Sequence, residues 1–119
     1  MSYVDGFLVP VPKRKVPAYL RMSRKAGRIW REYGALDYVE CLADDVKPGK
    51  WTSFPQAVKL KAGEAVVFSW IVYKSRRDRD RINAKVMKDK RLASMMDPKK
   101  LPFDGKRMMW GGFKVIVDL

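Results

Sequence analysis

Two carboxylates, Asp5 and Glu40, stand inside stretches that alternate like β-strands, and they are the acids best placed to share an enclosed site. Facing one pocket, such a pair has raised pKa values and can divide the work of acid and base. Tyr3, Tyr38, Tyr73 and Ser69 offer hydroxyls from the same stretches, and Trp70 offers an apolar wall. Asp5, Glu40, Ser69 and Trp70 are therefore the candidate lining of a small-ligand site between sheet and helices. Strand alternation leaves open whether all four enter one cavity. The competing reading gives each carboxylate a Lys or Arg partner, or a place in water at a strand end. Cys41 adjoins Glu40, but a buried free cysteine behaves as a small apolar residue, and no neighbouring motif activates it.

The chain has no histidine. That removes Ser-His-Asp and Cys-His catalysis, His-ligated zinc and haem, and the commonest general base near neutral pH. One cysteine allows neither an intrachain disulfide nor a multi-thiolate metal site. No metal and no cofactor is expected, and any catalysis rests on carboxylates, Tyr, Lys, Arg or Cys41.

Lys and Arg number 26 against 13 Asp and Glu, a formal charge of +13. Such an excess attracts polyanions, or else solvates helix faces. Placement separates the two. Arg24 and Arg28 belong to a basic stripe opposite an apolar one, the signature of a solvated helix face. Lys47, Lys50 and Trp51 fall in a connection, where an aromatic beside basic residues suits single-stranded nucleic acid. These five residues are the nucleic-acid candidates.

Several elements must position these groups. Residues 2–11 alternate, and Pro10 and Pro12 are expected to end that first strand. A period of 3.6 follows in Tyr19, Met22, Ala26, Ile29, Trp30 and Tyr33, which predicts a helix over residues 15–33 capped at Gly34. Residues 35–43 read as a second strand and Gln56–Leu60 as one helical turn. Ala65–Tyr73 is the central strand, apolar at eight of its nine positions. Ser75 caps a helix over residues 76–88, with Asp78 and Asp80 in its positive first turn. Asp89 starts a short piece carrying Leu92, Met95 and Met96. The last strand spans 106–118, with a bulge or close approach at Gly111–Gly112.

The whole of residues 1–119 reads as one α+β domain of order β-α-β-β-α-β. Right-handed crossovers give a ferredoxin-like, four-stranded antiparallel sheet, ordered 4-1-3-2, with both helices on one face. The strands are apolar on both parities, so the second face needs a cover. A second copy, packed sheet to sheet as a dimeric α/β barrel, supplies it. Residues 1–5 lack the basic and long apolar regions of a signal peptide, and no apolar run reaches membrane length. The expected compartment is the cytoplasm, with no membrane partner.

Ser2-Tyr3-Val4-Asp5-Gly6-Phe7, residues 66–73, Asn83-Ala84-Lys85-Val86-Met87 and Asp104-Gly105-Lys106-Arg107-Met108 resemble the YbaA-like family of uncharacterised bacterial proteins. So do Gly111-Gly112-Phe113 and the ending Val117-Asp118-Leu119. The resemblance runs along the whole chain. It implies the ferredoxin-like fold of the dimeric α/β-barrel superfamily and no known activity. That superfamily includes cofactor-free monooxygenases, haem-degrading enzymes and small-molecule isomerases. Their frequent reliance on His keeps their mechanisms from transferring here.

The expected function is a homodimeric protein that binds a small metabolite, or a histidine-free enzyme, with its cleft between sheet and helices. The alternative is RNA binding on the basic surface.

Overall fold

The computed structural model describes residues 2–119; Met1, part of the N-terminal reading above, lies outside the described residues. The elements are β1 (Tyr3–Pro12), α1 (Val16–Glu32), β2 (Asp37–Leu42), a one-turn α2 (Phe54–Ala57), β3 (Glu64–Tyr73), α3 (Arg76–Met87), α4 (Lys90–Met95) and β4 (Met109–Lys114). They form a four-stranded antiparallel sheet ordered β2-β3-β1-β4, the ferredoxin-like arrangement expected. Among the described residues no helix is long and apolar enough to cross a membrane.

The prolines do not end β1. Pro10 and Pro12 stay in register with Val66 and Glu64 of β3. Odd-numbered residues of β1 turn their N–H toward β3, so positions 10 and 12 turn theirs toward the β4 side. There β4 has already stopped, its last partner being Leu8. An edge position that needs no donor tolerates proline.

Helix α1 stops as the sequence predicts. Gly34 takes φ 117°, its N–H donates to the Arg31 carbonyl, and the Ala35 N–H reaches back to Trp30. This is the left-handed cap that satisfies the last carbonyls. Ser75 Oγ accepts from the Asp78 N–H at 3.1 Å to start α3, and Asp89 Oδ1 accepts from the Arg91 N–H at 2.8 Å to start α4. The helical turn after β2 lies earlier than expected, at Phe54–Ala57, because Ser53 caps it. The last strand is shorter than 106–118: a 3-10 turn occupies Gly105–Arg107, and β4 ends at Lys114. Gly111 and Gly112 form no bulge, since the pairing with Gly6 and Asp5 continues through them.

One sheet face carries Tyr3, Asp5, Phe7, Val9 and Val11, with Val67, Ser69, Ile71 and Tyr73 beside them, and packs beneath the helices. Its core has two parts. Ala26, Ile29, Ile71, Tyr73, Ile82, Val86 and Leu92 make one cluster, and Val9, Val11, Tyr19, Val67 and Phe103 the other. The opposite face leaves Phe68, Met109 and Phe113 exposed. Phe54 leans on Phe68 there, ring centres 5.9 Å apart. Cys41 lies on this outer face and is exposed, not buried as expected, because β2 is an edge strand.

Ile82 is fully buried where α3 meets the sheet. Ile82→Ala is expected to cost about 2–5 kcal/mol in urea unfolding, the range for a large-to-small change in a packed core. A cost under about 0.5 kcal/mol, the level of a surface change, would place Ile82 outside the core.

Candidate functional site

The strand registers bring four side chains into one row across the helix-facing side of the sheet. Glu40 of β2 pairs with Ser69 of β3, Ser69 with Phe7 of β1, and Phe7 with Trp110 of β4. At about 4.8 Å per strand the row spans roughly 14 Å. The next row is Tyr38, Ile71, Asp5 and Gly112. Over these rows lies a cavity of about 340 Å³, walled by Tyr19, Met22, Ala26 and Trp30 of α1, Asn83 of α3, Leu92 of α4 and Phe103. Residues of both core clusters line it, so it marks where the two clusters do not close on each other. Small side chains, Ala26 and Ser69, leave the space. Exposed Met87, Met96 and Trp110 form its rim.

Asp5, Glu40, Ser69 and Trp70 all border this cavity. They do so differently. Asp5 is 1% exposed and fully committed. Its carboxylate accepts from Arg79 Nη1 at 2.7 Å, from the Tyr73 hydroxyl at 3.0 Å and from Asn83 Nδ2 at 3.4 Å. Asn83 in turn accepts from Trp30 Nε1 at 2.9 Å. This is the competing reading realised: a buried carboxylate held by an arginine. Arg79 reaches it over Gly112, where any side chain would strike Tyr3 and Arg79.

Glu40 is held by phenols instead. Tyr19 donates to Oε1 at 2.7 Å and Tyr38 to Oε2 at 2.9 Å. Tyr38 packs closely against the α1 backbone because position 27 is glycine; a Cβ there would collide with its ring. Burial first, then the charge of Glu40, pushes the Tyr19 and Tyr38 hydroxyls well above the usual tyrosine range. Burial and then Asp5 do the same to Tyr73. Among the described residues no buried side-chain nitrogen or oxygen lacks a partner. Trp70 points its ring to the outer face, edge-on to Phe68 with centres 5.5 Å apart. What it gives the cavity is main chain.

The nucleic-acid candidates are split. Arg24 and Arg28 line an outer groove with Arg31, Tyr38 and Glu40, on the solvent side of α1. Trp51 is 85% exposed with Lys50 Nζ 5.0 Å above its ring, and Lys47 is exposed on the same connection. Neither Lys47, Lys50 nor Trp51 lines the groove.

Sequence reasoning missed Arg79, Asn83 and the role of Tyr19. Arg79 and Asn83 share one helical stripe with Ile82 and Val86, and polar groups set in an apolar stripe are the signal that was there to read. Phe103 and Met108 arrive from the irregular segment after α4, which no periodicity announces.

The family described as "Protein of unknown function (DUF1428)" matches residues 2–105. "Uncharacterized protein YbaA" of Escherichia coli strain K12 is 51% identical over 118 residues, covering 99% of each chain. The protein of the same name from Shigella flexneri shows the same identity and coverage. A crystal structure of an uncharacterised NIPSNAP domain protein from Burkholderia xenovorans aligns with a TM-score of 0.56 over 95% of this chain and 93% of that one. At 15% identity that likeness is one of fold.

The buried tyrosines set a pH dependence. In the unfolded chain tyrosine ionises near pH 10, while Tyr19, Tyr38 and Tyr73 keep their protons in the folded protein to higher pH. Above that point the folded state binds more protons than the unfolded one, so stability falls as pH rises. Spectrophotometric titration is expected to show these three ionising only together with unfolding. Reversible ionisation of all five tyrosines near pH 10 in the folded protein would contradict the geometry.

Proposed function

The chain belongs to the DUF1428 family, whose function is unknown, and we propose from its own geometry that it is a homodimer binding a small, largely apolar molecule between sheet and helices. One observation carries the reading: a cavity of about 340 Å³ with apolar and aromatic walls and a few convergent polar groups. That size lies near the lower end for small-molecule sites, about 300–1,000 Å³. Methionines at the rim adapt to different shapes. Glu40 is the lining acid without an arginine partner, so a ligand's donor group is directed there. If the bound molecule is also transformed, Glu40 is the base that chemistry rests on, held in place by Tyr19 and Tyr38.

The outer sheet face supports the dimer. Val4, Leu8, Val39, Phe68, Trp70, Val72, Met109 and Phe113 share its parity, and Phe68, Met109 and Phe113 are exposed. A second copy stacked on this face leaves both cavities, which lie on the helix side, free to open to solvent.

A thermal-shift screen of metabolites tests the site. A ligand at a hundred times its dissociation constant adds about 2.7 kcal/mol of stability, and the effect is expected to vanish in Ser69→Leu, which fills the cavity floor. Hits that survive Ser69→Leu bind elsewhere and contradict the reading. Light scattering at micromolar concentration tests the dimer: twice the chain mass is expected, with an interface of order 2,000 Å². A monomeric mass would refute it.

A further inference from the structure

We infer that the head group this cavity selects is a cation: the site takes a small organic amine, its ammonium on the Glu40 carboxylate and its apolar part along the row toward Phe7 and Trp110. The inference rests on the cavity reading above and specifies its ligand.

The chain carries twice as many basic residues as acidic ones, 26 against 13. Yet among the described residues neither Lys nor Arg lines the cavity, and its two charged residues, Asp5 and Glu40, are both acids. Asp5 has its counter-charge in Arg79. Glu40 has none: among the described residues no basic nitrogen lies within 4.0 Å of it. Arg24, Arg28 and Arg31 border the outer groove, which Glu40 and Tyr38 also line, yet none of the three comes within salt-bridge distance of Glu40.

The two groups that do hold Glu40 are neutral phenols. A carboxylate accepts at about four positions, so about two remain for a ligand. An ammonium placed there makes a charge-assisted hydrogen bond, roughly twice as strong as a neutral one. The neighbouring rings add to it. Trp30, Phe103, Tyr19 and Tyr38 line the same cavity as Glu40. Aromatic faces attract a cation within about 6 Å. A neutral alcohol fits the same space and can also donate to the carboxylate, but carrying no charge it gains neither the ion pair nor the attraction of the rings. An anion meets repulsion from Glu40 and no cation to receive it. The arginines of the outer groove do not reverse this order, because they are exposed and screened by water and salt while the Glu40 contact is direct.

The floor row sets the ligand's length. Phe7 and Trp110 stack at 6.3 Å at the end away from Glu40, so the molecule is an amine at one end and apolar or aromatic at the other.

Three probes of matched size test this by calorimetry near neutral pH: phenethylamine, phenethyl alcohol and phenylacetate. The amine is expected to bind about tenfold or more tighter than the alcohol, and phenylacetate to bind weakest. Glu40→Gln keeps the side chain's size and an acceptor for the tyrosines. It is expected to cost the amine about tenfold or more and the alcohol far less, since the amide oxygen still accepts from a hydroxyl, and so to remove the amine's advantage. An alcohol that binds the unaltered protein as tightly as the amine overturns the inference and leaves the cavity reading intact. So does an amine advantage that survives Glu40→Gln. Failure of all three probes, together with an empty metabolite screen, overturns both.

Discussion

A carboxylate buried to 1% exposure in the middle of a sheet must be neutralised, and the architecture of this protein follows from how Asp5 is. Taking an isolated charge out of water is prohibitive, so a partner has to be brought to it. Arg79 comes from α3, and its approach requires a strand with no side chain at position 112. Tyr73 and Asn83 complete the shell, and Asn83 passes the connection on to Trp30 of α1. One acid thus ties β1, β3, α3 and α1 together. Such a pair adds little net stability over an apolar core of the same shape. Removing one partner is costly, about 3–5 kcal/mol, because the other is left buried and unpaired. The pair fixes the position of α3 over the sheet.

That position creates the cavity. With α3 anchored at Asp5 and α1 capped at Gly34, the two core clusters are held apart around Ala26 and Ser69. The polar groups left facing the space are then unequal. Asp5 is spent on structure, whereas Glu40 accepts from two neutral tyrosines and borders both the cavity and the outer groove. The difference comes from topology. Asp5 lies on a central strand beneath α3, and Glu40 on the edge strand β2, where, among the described residues, only the tyrosines of α1 and β2 donate to its side chain.

Much of this was legible in the residues. The stripe from Tyr19 to Tyr33, the Gly34 cap and the Ser75 and Asp89 starts located the helices, because each rests on local chemistry. The apolar Ala65–Tyr73 stretch located the strand that pairs on both sides, and with it the strand order. The prolines misled because their effect depends on what lies beside the strand. At positions 10 and 12 the neighbour had ended, and that is a tertiary fact. Gly112 signalled close approach correctly, but what approaches it, Arg79, comes from another element. The site was half legible. Asp5, Glu40 and Ser69 follow from strand alternation, since their parities put all three on the helix face once the register is known. Trp70 has the opposite parity. Phe103 and Met108 reach the cavity from an irregular segment whose path depends on packing.

The four tryptophans report independently on whether the space over Glu40, Ser69 and Phe7 takes the proposed ligand. Trp30 and Trp110 line the cavity; Trp51 stands 85% exposed on a connection, and Trp70 turns its ring to the outer face. Indole N–H resonances followed by NMR during titration with phenethylamine distinguish these places directly. Saturable shifts are expected at Trp30 and Trp110, with Trp51 unmoved. Shifts confined to Trp51 or Trp70 would contradict this.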